Sequence, residues 1–192
     1  MRLPDFPIQT ARLLLRPFTT DDLDDVYEYM ADTEVVRYLY WEVRDRAGVA
    51  EALAGKVGSG LEGDGSHLTL AVVLPGESGA AGKVIGEALL KYISVANRQG
   101  EVGYVLNPAY HGHGYATEAA AAILRLGFEH VGLHRIDAHL DARNTASAQV
   151  LERLGMRREA HFVENEIFKG EWGDEFVYAI LENEWQARLR SA

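Results

Sequence analysis

The chain has 192 residues, 47% hydrophobic and 25% charged, with a formal net charge of −10 and no cysteine. That length supports one domain with a sizeable core, and the acidic excess argues against nucleic-acid binding, which needs a basic face. Without cysteine, disulfides, thiolate chemistry and cysteine-based zinc sites are excluded.

No apolar run approaches the ~20 residues that span a bilayer, and no secretory pattern follows Met1. A cytoplasmic protein without membrane or nucleic-acid partners is expected. TARLLLRPF (Thr10–Phe18) reads as a strand stopped near Pro17. TTDDLDDVYEYM follows as a helix. Thr19 or Thr20 caps it, Asp21 and Asp22 complement its dipole, and Leu23, Val26, Tyr27 and Met30 form its buried stripe. A second helical region covers Val43 to Val57.

HLTLAVVL (His67–Leu74), KVIGEALLKYISV (Lys83–Val95) and EVGYVL (Glu101–Leu106) are predicted strands, separated by the loop PGESGAAG and the turn NRQG. Gly103, inside the third, marks a bulge or a close backbone approach. The helix from Gly114 to about His130 has Ala116, Ala119, Ala120, Ile123, Leu124 and Phe128 on one stripe, small enough to lie close to a sheet. HRIDAHLD alternates as a strand. Asn144 opens a helix that Gly155 ends. Two last strands, Arg158–Phe168 and Asp174–Leu181, flank the turn KGEWG. The order β-α-α-β-β-β-α-β-α-β-β describes one mixed α/β (α+β) domain over 1–192.

The stretch AYHGHGYATEAAAA, residues 109–122, sets two glycines immediately before a run of helix formers. A helix N-terminus leaves its first N–H groups without partners and attracts anions, and glycine lets an anion approach the backbone. A pyrophosphate cradle and a plain turn with positive-φ glycines both fit. A Walker A loop fails, because Val84 follows the only Gly-Lys pair, Gly82-Lys83. A dinucleotide loop is a closer rival, with Asp141 as its ribose acid. However, Thr117 occupies its third glycine position, and five residues including Pro108 separate Leu106 from Gly112.

HGHGYA (His111–Ala116) resembles the pyrophosphate loop of the GCN5-related N-acetyltransferase (GNAT) superfamily, with His111 where the family carries Gln or Arg. TARLLLRPFTTDDLDDVY, EVGYVLNPAYHGHGYATEA, DARNTASAQVLERLGMRREA and FKGEWGDEFVYAIL are similar to the branch of ribosomal-protein N-terminal acetyltransferases, in order along nearly the whole chain. The resemblance implies a twisted, mostly antiparallel sheet whose central strands splay apart to admit the pantetheine arm of acetyl-CoA, with flanking helices.

It also implies the site. Val105, with Leu106 beside it, would offer a backbone N–H to the thioester carbonyl. Gly112, His113, Gly114, Tyr115 and Ala116 would hold the pyrophosphate, and Asn144 the pantetheine arm. Ser147 would serve the departing sulfur as acid or thiolate stabiliser. Leu151 stands where many relatives carry a tyrosine. A helix N-cap for Asn144 and a first-turn serine for Ser147 are the plainer alternatives.

For the base, Glu101 shares a strand face with Gly103 and Val105. Glu166 precedes the KGEWG turn, where that branch places a glutamate, and Glu164 is a spare on the same face. A solvated carboxylate explains any of them equally well. His111 with His113, and His134 with His139, lack a third metal ligand at fixed spacing, so no metal is expected. Tyr38, Tyr40 and Trp41 fall where relatives form the acceptor pocket, or else simply pack.

The expectation is therefore an N-acetyltransferase with acetyl-CoA as co-substrate, passing acetyl directly to a primary amine. The acceptor would be a ribosomal or other protein N-terminus, or a small amine. A non-catalytic acyl-CoA-binding module and an NAD-binding protein are the alternatives, and homodimerisation stays open.

Overall fold

The apolar runs become eight strands in the computed structural model, which describes residues 3–76 and 82–191. They are β1 (Ile8–Gln9), β2 (Leu14–Pro17), β3 (His67–Leu74), β4 (Lys83–Ser94), β5 (Gln99–Leu106), β6 (Arg135–Asp141), β7 (Arg157–Phe168) and β8 (Glu171–Leu181). One sheet holds them in the order β1-β2-β3-β4-β5-β6-β8-β7. The helices are α1 (Leu23–Met30), α2 (Thr33–Val36), α3 (Arg46–Lys56), α4 (Tyr115–Arg125), α5 (Thr145–Arg153) and α6 (Glu182–Ser191).

Neighbouring strands run antiparallel except β5 and β6. That parallel pair is registered only from Gln99↔Arg135 to Glu101↔Asp137. Beyond it β5 continues to Leu106 and β6 to Asp141 without pairing. The centre of the sheet is therefore splayed, and the opening lies between the C-terminal ends of these two strands.

Each face of the sheet buries its own core. On one, Ala119, Ala120, Ile123 and Leu151 from α4 and α5 meet Leu90, Val102, Ile136 and Tyr178. On the other, Val26, Tyr29, Val49 and Leu53 from α1 and α3 meet Ala71, Val73 and Val84. Each large apolar side chain so buried stabilises the fold by ~1.5–3 kcal/mol. Alanine at 119 and 120 lets α4 lie close to the strands. Its last turn widens into a π-turn over Leu126–Val131, ended by Gly132 in the left-handed region.

The buried carboxylate on the α1/α3 face is paired, as burial demands. Glu87 of β4, 2% exposed, accepts from Tyr29 Oη at 2.9 Å and from Lys56 Nζ at 2.7 Å. It thereby ties both helices to the sheet.

The fold departs from the sequence reading in definite places. β2 starts at Leu14 rather than Thr10, because the Thr10 hydroxyl closes a turn onto the Leu13 carbonyl. α3 starts at Arg46 rather than Val43, where Asp45 caps the Gly48 N–H at 2.8 Å. Gly103 sits in unbroken register opposite Leu89, and its missing side chain makes room for that leucine. The two-residue β1 and four-residue α2 are too short for periodicity to reveal. α6 has one deeply buried apolar anchor, Trp185, stacked on Phe128 with ring centroids 6.2 Å apart, and so lacks an apolar stripe. Residues 77–81 of the predicted loop lie outside the described residues.

Candidate active site

Asn107 ends β5 by capping a 3₁₀ turn over Pro108–Tyr110, its Oδ1 accepting from the Ala109 N–H at 3.0 Å. The chain then passes through Gly112 (φ 80°) and Gly114 (φ 81°), both left-handed, before α4 begins. Left-handed backbone costs an L-residue ~1–2 kcal/mol. A Cβ at Gly112 would meet nothing within 4 Å, and one at Gly114 only an Arg12 nitrogen at 3.5 Å. The glycines therefore answer to backbone conformation and to open space rather than to crowding.

That space is a cavity of about 930 Å³. The first hydrogen bond of α4 runs from the Glu118 N–H to the Gly114 carbonyl at 3.1 Å. The earlier N–H groups of Tyr115, Ala116 and Thr117 thus belong to cavity-lining residues before the ladder begins. Gly114 supplies no side-chain cap. An uncapped, alanine-rich helix start open to a cavity attracts negative charge.

Arg12 braces this loop. Its guanidinium donates to the His113 carbonyl at 2.8 Å and to Glu118 at 2.7 Å, and lies over the Tyr115 ring, 4.8 Å from its centroid. Burial alone would raise the Glu118 carboxyl; hydrogen bonds from Thr10 and Arg12 outweigh it and hold it below the usual range. His111 also lines the cavity, with its Nε2 donating to the Leu106 carbonyl at 3.1 Å. The residue that departs from the family pattern thus caps the end of β5.

Val105, Leu106, Gly112, Gly114, Tyr115 and Ala116 all line the cavity, and Asn144 and Ser147 of the opposite wall join them. His113 is held in the same loop through its carbonyl. Asn144 is the N-cap of α5, its Oδ1 accepting from the Ser147 N–H at 3.1 Å, which leaves its amide nitrogen to donate elsewhere. The Ser147 carbonyl accepts from Tyr104 Oη at 3.2 Å. Burial raises the Tyr104 phenol well above its ordinary value, so it stays protonated. Leu151 is core, 1% exposed. Arg153 and Arg188 add positive charge to the cavity lining.

Glu101 and Glu166 lie outside that lining. Glu101 pairs with Lys91 at 3.6 Å. Glu166 accepts from Tyr40 Oη at 2.5 Å. Burial raises the Tyr40 phenol, and so do the bond to Glu166 and the charges of Glu166, Glu175 and Glu101. Glu166, Glu175 and Glu101 thus form an acidic cluster around Tyr40. Lys169 staples the β7–β8 turn to the segment before α3, its Nζ donating to the Val36 carbonyl at 2.8 Å and the Trp41 carbonyl at 3.2 Å. Glu164 sits at a bulge with φ 50°, its N–H held by Asp174 at 3.0 Å. The bulge breaks the alternation that would put it on one face with Glu166.

An acetyltransferase (GNAT) domain model matches residues 12–157. The chain belongs to the GNAT family. It is an acyltransferase, as its relatives' names agree. The uncharacterized N-acetyltransferase YnaD of Bacillus subtilis (strain 168) is 39% identical over 178 residues, covering 93% of this chain and 98% of that protein. The crystal structure of an acetyltransferase (GNAT family) from Bacillus anthracis superposes with a TM-score of 0.81 at 35% identity, over 92% of this chain and 98% of that one. A spermidine N-acetyltransferase from Vibrio cholerae, solved in complex with CoA and spermine, shares the fold with a TM-score of 0.76 at 21% identity, over 92% and 99% of the two chains.

Two residues that shape the cavity walls, Arg12 and Tyr104, were not singled out in the sequence. Arg12 lies 100 residues from the loop it braces, and nothing local marks it. Tyr104 reads there as one more strand aromatic.

Proposed function

We propose that this GNAT enzyme binds acetyl-CoA in the cavity between β5 and α5 and passes the acetyl group directly to a primary amine. The observation that carries this reading is the uncapped N-terminus of α4, opening through left-handed glycines onto that cavity. The donor set fits the group: free N–H groups and arginines suit a pyrophosphate, and the half-apolar walls of β5 and α5 suit a pantetheine arm.

In this reading Val105 offers its N–H to the thioester carbonyl, and Asn144 uses its amide nitrogen on the arm. Ser147 stands by the sulfur, with its backbone held by Asn144 and Tyr104. The amine must shed a proton to attack and the thiolate must be stabilised, so one group is needed on each side. The acidic cluster around Tyr40 suits an acceptor that arrives as a cation. Spermidine and an alanine-initiated peptide represent the two acceptor classes.

Thermal shift against acetyl-CoA and NAD tests the cofactor, because a ligand of the native state raises Tm. Stabilisation by acetyl-CoA and not by NAD is expected. Thiol release that depends on the added amine is expected in the same enzyme. Binding without release from any amine would leave only the binding-module alternative.

A further inference from the structure

On the sheet face away from α4 and α5, a carboxylate–imidazole–carboxylate row stands where β5 and β6 part. Asp137 is in register with Glu101 at the last paired position. His139 is the next residue on the same face of β6, just past that position. Its Nδ1 lies 2.8 Å from Glu175 Oε1 of β8. A carboxylate only accepts, so Nδ1 carries the hydrogen and the neutral ring keeps its lone pair on Nε2. Glu175 is itself fixed, its Oε2 accepting from Asn165 Nδ2 at 2.7 Å.

His139 Nε2 lies 4.0 Å from Asp137 Oδ1, and that oxygen is buried with no hydrogen-bond partner. Two acceptors facing each other without a donor are costly. A primary ammonium on the open side of the ring would donate to Nε2 and bring its positive charge close to the Asp137 carboxylate. The other carboxylates are committed: Glu101 to Lys91 and Glu166 to Tyr40.

We propose that His139 takes the proton of the acceptor ammonium, while Asp137 binds that ammonium and Glu175 positions the ring. This rests on the acetyl-transfer reading above. The ammonium gives one proton to Nε2, and the freed lone pair forms the C–N bond at the thioester carbonyl. The C–S bond then breaks with its electron pair leaving on sulfur. The nitrogen's second proton goes to that thiolate, giving amide and CoA thiol. His139, with 40% of its side chain exposed, returns its proton to solvent. The charged and titratable groups around it are Asp137 and Arg135 on β6, Glu101 with Lys91 from β5 and β4, Glu175 on β8, Glu166 on β7, and Tyr40.

The pH dependence of kcat/KM, with acetyl-CoA and either spermidine or an alanine-initiated peptide, tests this. The wild type is expected to lose activity as His139 protonates. His139→Gln removes that acidic limb and lowers kcat by ~10²-fold or more, with unchanged acetyl-CoA affinity by calorimetry. Glu175→Gln moves the limb to lower pH and keeps activity above it, which a merely structural role does not produce. Wild-type kcat and an intact limb in His139→Gln overturn the proposal, and loss of the limb in Glu101→Gln or Glu166→Gln moves the base there.

Nitrogen NMR provides an arm independent of turnover. The neutral His139 ring is expected to carry its hydrogen on Nδ1, and butylammonium is expected to shift Nε2 in the wild type but not in Asp137→Asn. A hydrogen on Nε2, or no response to butylammonium, also overturns the proposal. A wild type that releases no thiol with any amine speaks against the acetyl-transfer reading instead. An active wild type alongside an equally active His139→Gln speaks against this inference alone.

Discussion

Arg12 and Glu118 lock together across the mouth of the cavity. The Arg12 backbone N–H meets Glu118 Oε1 at 2.7 Å, and its Nε meets Oε2 at 2.7 Å. The same guanidinium holds the His113 carbonyl, so one side chain sets the shape of the glycine loop. Hydrogen bonds to charged groups contribute ~1.5–3 kcal/mol. Arg12→Ala is expected to raise the acetyl-CoA Kd about tenfold, and Arg12→Lys, without the planar fork, to recover little of it. Calorimetry checks both.

Gly114→Trp is expected to abolish acetyl-CoA binding in a folded protein, because the indole enters the cavity at φ 81°. Gly112→Ala meets open space and suffers only the left-handed backbone cost of ~1–2 kcal/mol. It should melt earlier yet still bind. Unchanged acetyl-CoA affinity in folded Gly114→Trp would remove the loop from the site.

Ser147→Ala is expected to lower kcat by ~10²-fold with little change in acetyl-CoA Kd. Tyr104→Phe removes the donor to the Ser147 carbonyl and should lower kcat less. Steady-state kinetics with each acceptor would show this, and equal turnover in Ser147→Ala would take the hydroxyl out of the chemistry.

Gly86→Ala is expected to disrupt the pairing of β4 with β5 beside Val105 and Leu106. A Cβ at Gly86 would lie 2.2 Å from the Val105 carbonyl oxygen and 2.9 Å from Leu106 Cα, so backbone must move. Overpacking of this kind costs ~1–3 kcal/mol or more. A lower urea midpoint together with weaker acetyl-CoA binding is the expected pair of results.

Acid should weaken the fold through Asp22. Burial by itself raises this carboxyl, but hydrogen bonds from Arg16 at 2.6 and 2.8 Å and from the Thr19 N–H at 2.8 Å outweigh it, so its pKa lies below the usual range. A depressed folded pKa means the contribution is complete above the unfolded value of ~3.9 and is lost as pH falls through the folded one. Asp22→Asn should cost ~1–3 kcal/mol at pH 7 and flatten the acid limb of stability, measured by urea melts between pH 7 and 2.

Part of this protein was legible in its residues alone. Apolar periodicity located strands β2 to β8 and helices α1, α3, α4 and α5, but not α6. The glycines before an alanine run marked the uncapped helix start. The order of the motifs disclosed the family. Each motif and each periodic stretch is a local signal, carried by residues within a turn or a strand of one another.

Tertiary structure decided the rest. Asp137, His139 and Glu175 meet because β8 lies beside β6 in the sheet, although 36 residues of chain separate His139 from Glu175. The ring of His111 turned to the end of β5, and the hydroxyl of Tyr104 crossed to α5. Those directions depend on where a partner's lone pair stands in space, and sequence spacing holds no record of that.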